Sequence, residues 1–345
     1  MKTKKSPKAK TSKSPKAVLI TAYRVGQSRL KSYSHPCSPK TYTQPQLFAC
    51  LVLKEFLRLD YRKLSAFLED TPELARTIEL IPVPHFTTFH KAARRLLRSQ
   101  PAQRLLSETV NHAVRTGVVK KRVQRAAIDG TGFETRHISA YYVKRRERAC
   151  KTGFQTTTYT RYPYANLVCD CASHFVLAVV TGRGPGPDDP YYRPALRQTV
   201  SRTSVDLLLA DAGFDSEAAH EFARQECGMR TLIPPIRGRP VKNGRLRGRW
   251  RHVMATRFDK KKYGQRWQVE TVVSMIKRLL DSALRAREYW SQSREMVLRV
   301  LTLNIMILRW MVFYRADLSR LTSQLTRSTR LNLTHQKIAK AARPH

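Results

Sequence analysis

The sequence predicts an α/β fold: a mixed sheet with helices on both faces, preceded by a small helical region. Three observations carry this. Residues 45–118 hold only helix-period apolar patterns, and from residue 123 short apolar runs bounded by Gly and Pro take over. Those runs alternate with helical stretches in the order strand, strand, strand, helix, strand, helix, strand, helix, which favours one sheet covered on its faces. A hydrophobic content of 41% over 345 residues supports a substantial core.

Residues 1–44 carry eleven Lys/Arg and no acid, and the first acid is Glu55. The opening MKTKKSPKAKTSKSPK cannot build a core, so residues 1–44 are expected to be a basic, largely disordered tail. In residues 45–118, Leu47, Cys50, Leu51, Lys54 and Leu57 follow a helical pattern, and Asp60 is placed to N-cap the next helix. After Pro82 and Pro84, Thr87 or Thr88 could cap a basic helix with His90, Lys91, Arg94, Arg95 and Arg98. Two short helices, a turn and a basic helix suit a helix-turn-helix reader of DNA, with Arg94 and Arg95 as contacts. A solvated basic helix is the plainer alternative.

Residues 119–316 form the predicted sheet domain. VQRAAIDGTGFE reads as a strand carrying Asp129, residues 145–163 as a basic loop, and Tyr164–Cys171 with Phe175–Thr181 as an antiparallel hairpin. The segment from Gly182 to Pro190 is a loop, and Tyr191–Arg202 a helix. A buried strand from Ser204 ends at Asp211, a helix N-capped by Ser216 follows, and Met229–Ile233 is a further strand. Residues 235–262 form a basic insertion with eleven Lys/Arg, and Trp250 sits among them. Tyr263–Lys277 then reads as one helix on which Tyr263, Arg266, Glu270 and Lys277 fall within about 60° of one another. Val297–Phe313 is apolar, but Arg299, Asn304 and Arg309 interrupt it; it reads as a buried helix with a polar edge at Arg299, Thr302 and Arg309, not a membrane span. Residues 317–345 are a basic C-terminal tail.

Net charge is +40, and +24 of it remains on residues 45–316, so the body as well as the tails calls for a polyanion. Nucleic acid is the default partner and an anionic membrane the weaker one. The six cysteines contain no CxxC pair; they fit a reducing compartment and core packing better than zinc or disulfides. No signal peptide is legible, which favours a cytoplasmic, nucleoid-associated protein. No GxxxxGK[ST] occurs, so ATP is not expected.

Asp129, Asp211 and Glu270 stand beside apolar strand ends or on the helix after the last strand, where carboxylates are costly unless neutralised. A pair of Mg²⁺ ions would neutralise them and serve phosphodiester chemistry. Taken singly, each acid has a plain structural role open to it: Asp129 in a turn, Asp211 with Gly213, Glu270 paired to Arg266.

Together the residues resemble the DDE-type transposases of insertion sequences, in the subgroup with a Y-x2-R-x3-E-x6-K signature. Tyr263, Arg266, Glu270 and Lys277 meet every spacing, with Ile128-Asp129-Gly130-Thr131 and Leu209-Ala210-Asp211-Ala212-Gly213-Phe214 as the other two motifs. The resemblance covers roughly residues 45–312. It implies a ribonuclease-H-like fold, with Asp129, Asp211 and Glu270 as catalytic ligands of two Mg²⁺, Mn²⁺ being the natural substitute. It implies that Tyr263, Arg266 and Lys277 hold the DNA backbone at the element's end, with Trp250 as the candidate for stacking a base. Asp188 or Asp189 resembles a further acidic position that is not a metal ligand. The implied reaction is cleavage at the terminal inverted repeats to free a 3′-OH, then direct transesterification into target DNA, in a homodimeric synaptic complex. The alternatives are a non-catalytic or domesticated DNA-binding protein, a two-metal nuclease without strand transfer, and a basic structural RNA-binding protein.

Overall fold

The computed structural model describes residues 11–135, 161–236 and 246–310. The expected C-terminal tail, most of the basic loop at 145–163 and residues 237–245 of the insertion lie outside the described residues.

Six helices come first: α1 Pro15–Arg29, α2 Gln44–Phe56, α3 Tyr61–Asp70, α4 Pro72–Arg76, α5 Phe86–Leu96 and α6 Ser99–Arg115. Helix α1 corrects the expectation of a disordered tail over 1–44. Ser14 caps it, accepting from the Ala17 N–H, and Val18, Leu19, Ala22 and Val25 are buried on the face that meets α2. Their spacing is one helical stripe, hidden in the sequence by the Lys/Ser/Pro composition around it. Asp60 caps α3 as expected, accepting from the Lys63 N–H at 2.8 Å. Neither Thr87 nor Thr88 caps α5. His85 is the N-cap residue and makes no side-chain cap bond, and its Nδ1 pairs with the Thr87 hydroxyl at 2.9 Å.

The strands are β1 Arg122–Val123, β2 Ala126–Gly132, β3 Glu134–Thr135, β4 Tyr162–Asp170, β5 Val176–Gly184, β6 Ser204–Val205, β7 Leu207–Leu209, β8 Arg230–Leu232 and β9 Ala283–Leu284. The main sheet has the order β5-β4-β2-β7-β8. β2, β4 and β5 run antiparallel in sequence, while β7 and β8 join β2 in parallel. That mixed arrangement is the one expected of a ribonuclease-H-like sheet. Helix α7, Asp189–Val200, packs on β4 and β5; α8, Glu217–Glu221, is capped by Ser216 and runs on as a π-turn over Phe222–Glu226. After the insertion come α9 Arg249–Thr256, α10 Lys260–Tyr263, α11 Trp267–Leu280 and a final helix, α12, over residues 289–310.

Two expectations for the C-terminal part are corrected. Tyr263–Lys277 is not one helix: α10 ends at Tyr263, and a tight turn with Arg266 N–H bonded to the Tyr263 carbonyl at 2.8 Å precedes α11. Gly264 weakens the helix there. Arg299 and Thr302 are not a polar edge of α12 but fully buried. Arg299 meets Glu55 at 3.0 Å and Glu295 at 2.8 Å, and donates to the Asp281 and Ala283 carbonyls at 2.6 and 2.9 Å.

The buried residues of helices and sheet form one continuous core, from Val18 through Phe48, Leu105 and Leu167 to Ile307. Asn304 joins its parts: Nδ2 donates to the Val176 carbonyl at 2.8 Å and reaches Thr109 Oγ1 at 3.4 Å, while Oδ1 accepts from the Val176 N–H.

Candidate active site

Strand register brings the first two acids together. β2 pairs with β7 in parallel, Ala127 opposite Leu209. Two residues further along each chain stand Asp129 and Asp211, just where the β2–β7 ladder ends. The C-terminal ends of parallel strands are where open α/β sheets place their ligands. Asp129 remains within β2, paired on its other side with Leu167 of β4. Gly130 beside it cannot bear a side chain: a Cβ there would fall 1.4 Å from the Tyr164 hydroxyl, which donates to Asp188. Asp188 thus holds a tyrosine over the strand, and Asp189 opens α7.

Helix α11 packs on β2 and brings the third acid. Glu270 is in its first turn, hydrogen-bonded to Arg266, whose other amine lies 3.6 Å from Asp129 Oδ2. Burial pushes the Asp129 carboxyl up to about 6; the Gly130 N–H and Arg266 oppose this, and Asp211 and Glu270 reinforce it. Asp129 thus feels the charge of both other acids. Each also has the local partner open to it from sequence: Asp129 accepts from the Gly130 N–H and Asp211 from the Gly213 N–H, both at 2.9 Å, and Glu270 pairs with Arg266.

Among the described residues no three His, Cys, Asp or Glu side chains are grouped closely enough to hold a metal ion, and a guanidinium lies between Asp129 and Glu270. The donor set nonetheless fits divalent cations. It is three hard oxygen ligands, one of them half-desolvated and raised by two like charges, with Arg266 standing in as the counter-charge.

The remaining signature residues surround this centre. The Tyr263 ring packs on Phe258 at 5.0 Å, and burial raises its hydroxyl pKa, with Arg266 opposing and Asp211 and Asp129 adding to the rise. Lys277, two turns along α11, has its ammonium 5.6 Å from the Phe133 ring centroid; burial lowers its pKa, with Glu134 opposing. Trp267, next to Arg266, is 54% exposed, and sequence reasoning passed over it although it lies inside the signature.

Trp250 lies on α9 with the Arg224 and Arg249 guanidinium groups 3.9 and 4.7 Å from its ring centroid, so a base stacking there would displace a cation. Sequence reasoning also missed the clasp that holds this helix. Glu217 accepts from the Trp250 and Arg251 N–H groups at 2.9 and 3.1 Å, and Asp215 holds the Arg251 guanidinium through both Nε and Nη2. Gly248 precedes the helix at φ +99, and a Cβ there would strike Glu217 at 2.2 Å. The signal available was two acids just past Asp211 facing a run of arginines. Arg94 is exposed on α5, whereas Arg95 is half-buried with its Nε buried and unpartnered.

Residues 122–305 match a family model described as "Transposase DDE domain". No curated protein matches the chain. Among solved structures the chain is similar to one titled "Crystal structure of a pre-cleavage Mos1 transpososome", at 11% identity over 84% of each chain and a TM-score of 0.19, a likeness too slight to bear on the site.

Proposed function

Because the chain belongs to the transposase DDE domain family and is a DNA transposase, we propose that Asp129, Asp211 and Glu270 are its catalytic carboxylates. One observation supports this reading: the register of β2 and β7 puts Asp129 and Asp211 past the same end of their ladder, and Arg266 bridges Asp129 to Glu270 on α11. Enzymes of this family use divalent metal ions. Two Mg²⁺, or Mn²⁺ in their place, would be held by the three carboxylates and would supply activation of the attacking oxygen and stabilisation of the leaving one.

The chain's own residues position the DNA. Arg266 and Lys277 take backbone phosphates at the element's end, Arg266 as a fork and Lys277 as a point charge. Tyr263, braced on Phe258, fixes the turn from which Arg266 projects. The helical region over 45–118 contributes DNA contacts through Arg94 on α5, and the insertion over 235–262 through its arginines and Trp250. Cleavage frees a 3′-OH that attacks target DNA by transesterification, and synapsis of two terminal inverted repeats calls for a homodimer on DNA.

The test is strand cleavage of a plasmid carrying the element ends in Mg²⁺ or Mn²⁺. Asp129→Asn, Asp211→Asn and Glu270→Gln should each bind end DNA and fail to cut it. Any one that cuts at the wild-type rate is removed from the catalytic set.

A further inference from the structure

A cleft of about 610 Å³ opens between the helical region and the segment leading into α12, lined by Tyr61, His90, Arg94, Arg287, Trp290 and Arg294 among others. It lies away from the three carboxylates. Arg285 of its lining donates to the Arg58 carbonyl, and Arg58 donates to the Leu279 carbonyl at 3.1 Å, which links the cleft to the C-terminal end of α11. Nine helical residues separate Leu279 from Glu270, about 14 Å.

The charges of this cleft are unbalanced in a particular way. Its acids are mostly committed elsewhere. Glu55 is bound by Lys54 and Arg299, each at 3.0 Å; Glu295 is bound by Arg299 and by the N–H groups of Arg285 and Ala286; Asp60 caps α3. Glu288 is the remaining carboxylate, and it faces Arg294. Against it stand Arg94 from α5 and Arg294 from α12 on the cleft wall, with Arg98, the N-cap residue of α6, acting on Arg294 from outside the lining. Among the described residues none of these three arginines is in an ion pair. Burial, then Arg94 and Arg98, push the Arg294 pKa below the usual arginine value. Arg94 and Arg294, brought to one cleft wall from two elements, repel one another unless an anion joins them.

An aromatic surface lies beside them. Trp290 is 68% exposed, and Tyr289 meets it edge-on with ring centroids 5.0 Å apart, itself held by Arg183 at 4.3 Å. The indole is thus braced at one edge and open to solvent. Cations that fit phosphate beside an open aromatic ring are the parts of a single-strand site, where phosphates track the charges and bases stack. The volume is that of a small-ligand pocket, room for about one or two nucleotides and not for a duplex.

We propose that this cleft binds an unpaired stretch of DNA strand, its phosphates on Arg94 and Arg294 and a base on Trp290. The proposal rests on the transposase reading for the identity of its nucleic acid. At the 3.4 Å spacing of stacked nucleotides, the rise from Glu270 to Leu279 alone corresponds to about four nucleotides. A strand end exposed by cleavage, or bases unpaired beside it, would reach both.

The experiment titrates the full chain with short oligo(dT), following tryptophan fluorescence and the anisotropy of a labelled strand. Oligo(dT) should quench a component of emission that is missing in Trp290→Phe, and Trp290→Ala should bind about tenfold more weakly. Arg94→Ala with Arg294→Ala should lower the slope of log affinity against log salt by about 1.4. Thermal melts of each variant establish that it is folded. Three results would overturn the site: quenching by oligo(dT) undiminished in Trp290→Phe, an unchanged salt slope in the arginine variants, or blunt duplex quenching the Trp290-dependent component as strongly as oligo(dT). Inorganic pyrophosphate binding through the arginines with no binding of oligo(dT) would show a small-anion site and overturn it too. The underlying reading is scored separately. Trp290-dependent binding by a protein that never cuts element ends keeps the cleft and sinks the transposase assignment, whereas cutting without such binding sinks only the cleft.

Discussion

Arg266 and Asp129 stand 3.6 Å apart, and the same guanidinium is hydrogen-bonded to Glu270. One side chain therefore neutralises two proposed metal ligands and is also a proposed phosphate contact. It cannot serve the carboxylates and a phosphate fully at once.

The first prediction follows from that competition. Arg266→Ala should bind Mn²⁺ more tightly in the absence of DNA, by about five- to tenfold, since a cation no longer displaces a guanidinium. The same variant should bind end DNA more weakly. Calorimetric titration with Mn²⁺ checks the first half, and equal or weaker metal affinity would refute it.

Asp129 sets the second. Its folded pKa of about 6 lies above the ordinary carboxylate value, so the folded state holds this proton more tightly than the unfolded chain. Its contribution to stability is then lost as pH rises from about 4 to 6. Asp129→Asn should remove that loss and, in metal-free buffer at neutral pH, gain on the order of 1–2 kcal/mol after allowance for partial exposure. Melting curves of both proteins across that pH range should diverge upward from about pH 4; parallel curves would count against it.

Lys277 gives the third. If it holds one phosphate, Lys277→Ala should reduce the salt slope of end binding by about 0.9. A slope equal to that of the wild type would return Lys277 to its contact with Phe133 alone.

The fourth concerns the buried network. Arg299→Ala leaves Glu55 and Glu295 facing each other across the site of a lost cation, with the Asp281 and Ala283 carbonyls unpaired. The cost should be about 3–5 kcal/mol, a fall in Tm on the order of 10 °C. A fall of a degree or two would show the pocket to be wetter than its burial implies.

The sheet was legible in the sequence because its strands are short apolar runs between Gly, Pro and acids, and the acids at their ends marked the candidate site. Asp60 and Ser216 were legible as caps for the same local reason. Helix α1 was not, because four apolar residues on one face counted for less than the lysines around them. The break between Tyr263 and Trp267 was not, because one glycine in a first turn is weak evidence against a long helix. The Asp215–Arg251 clasp and the Arg94–Arg294 cluster join distant segments, and no local pattern announces such meetings.

Asn304 ties α12 at once to Thr109 in the helical region and to the β5 backbone at Val176. Exchanging the leading helices for those of another element would uncover the face of β5 that α6 covers and strip the buried amide of its Thr109 partner. New end preferences must then arise on the outer faces of these helices, substitution by substitution, rather than by trading an interchangeable cassette.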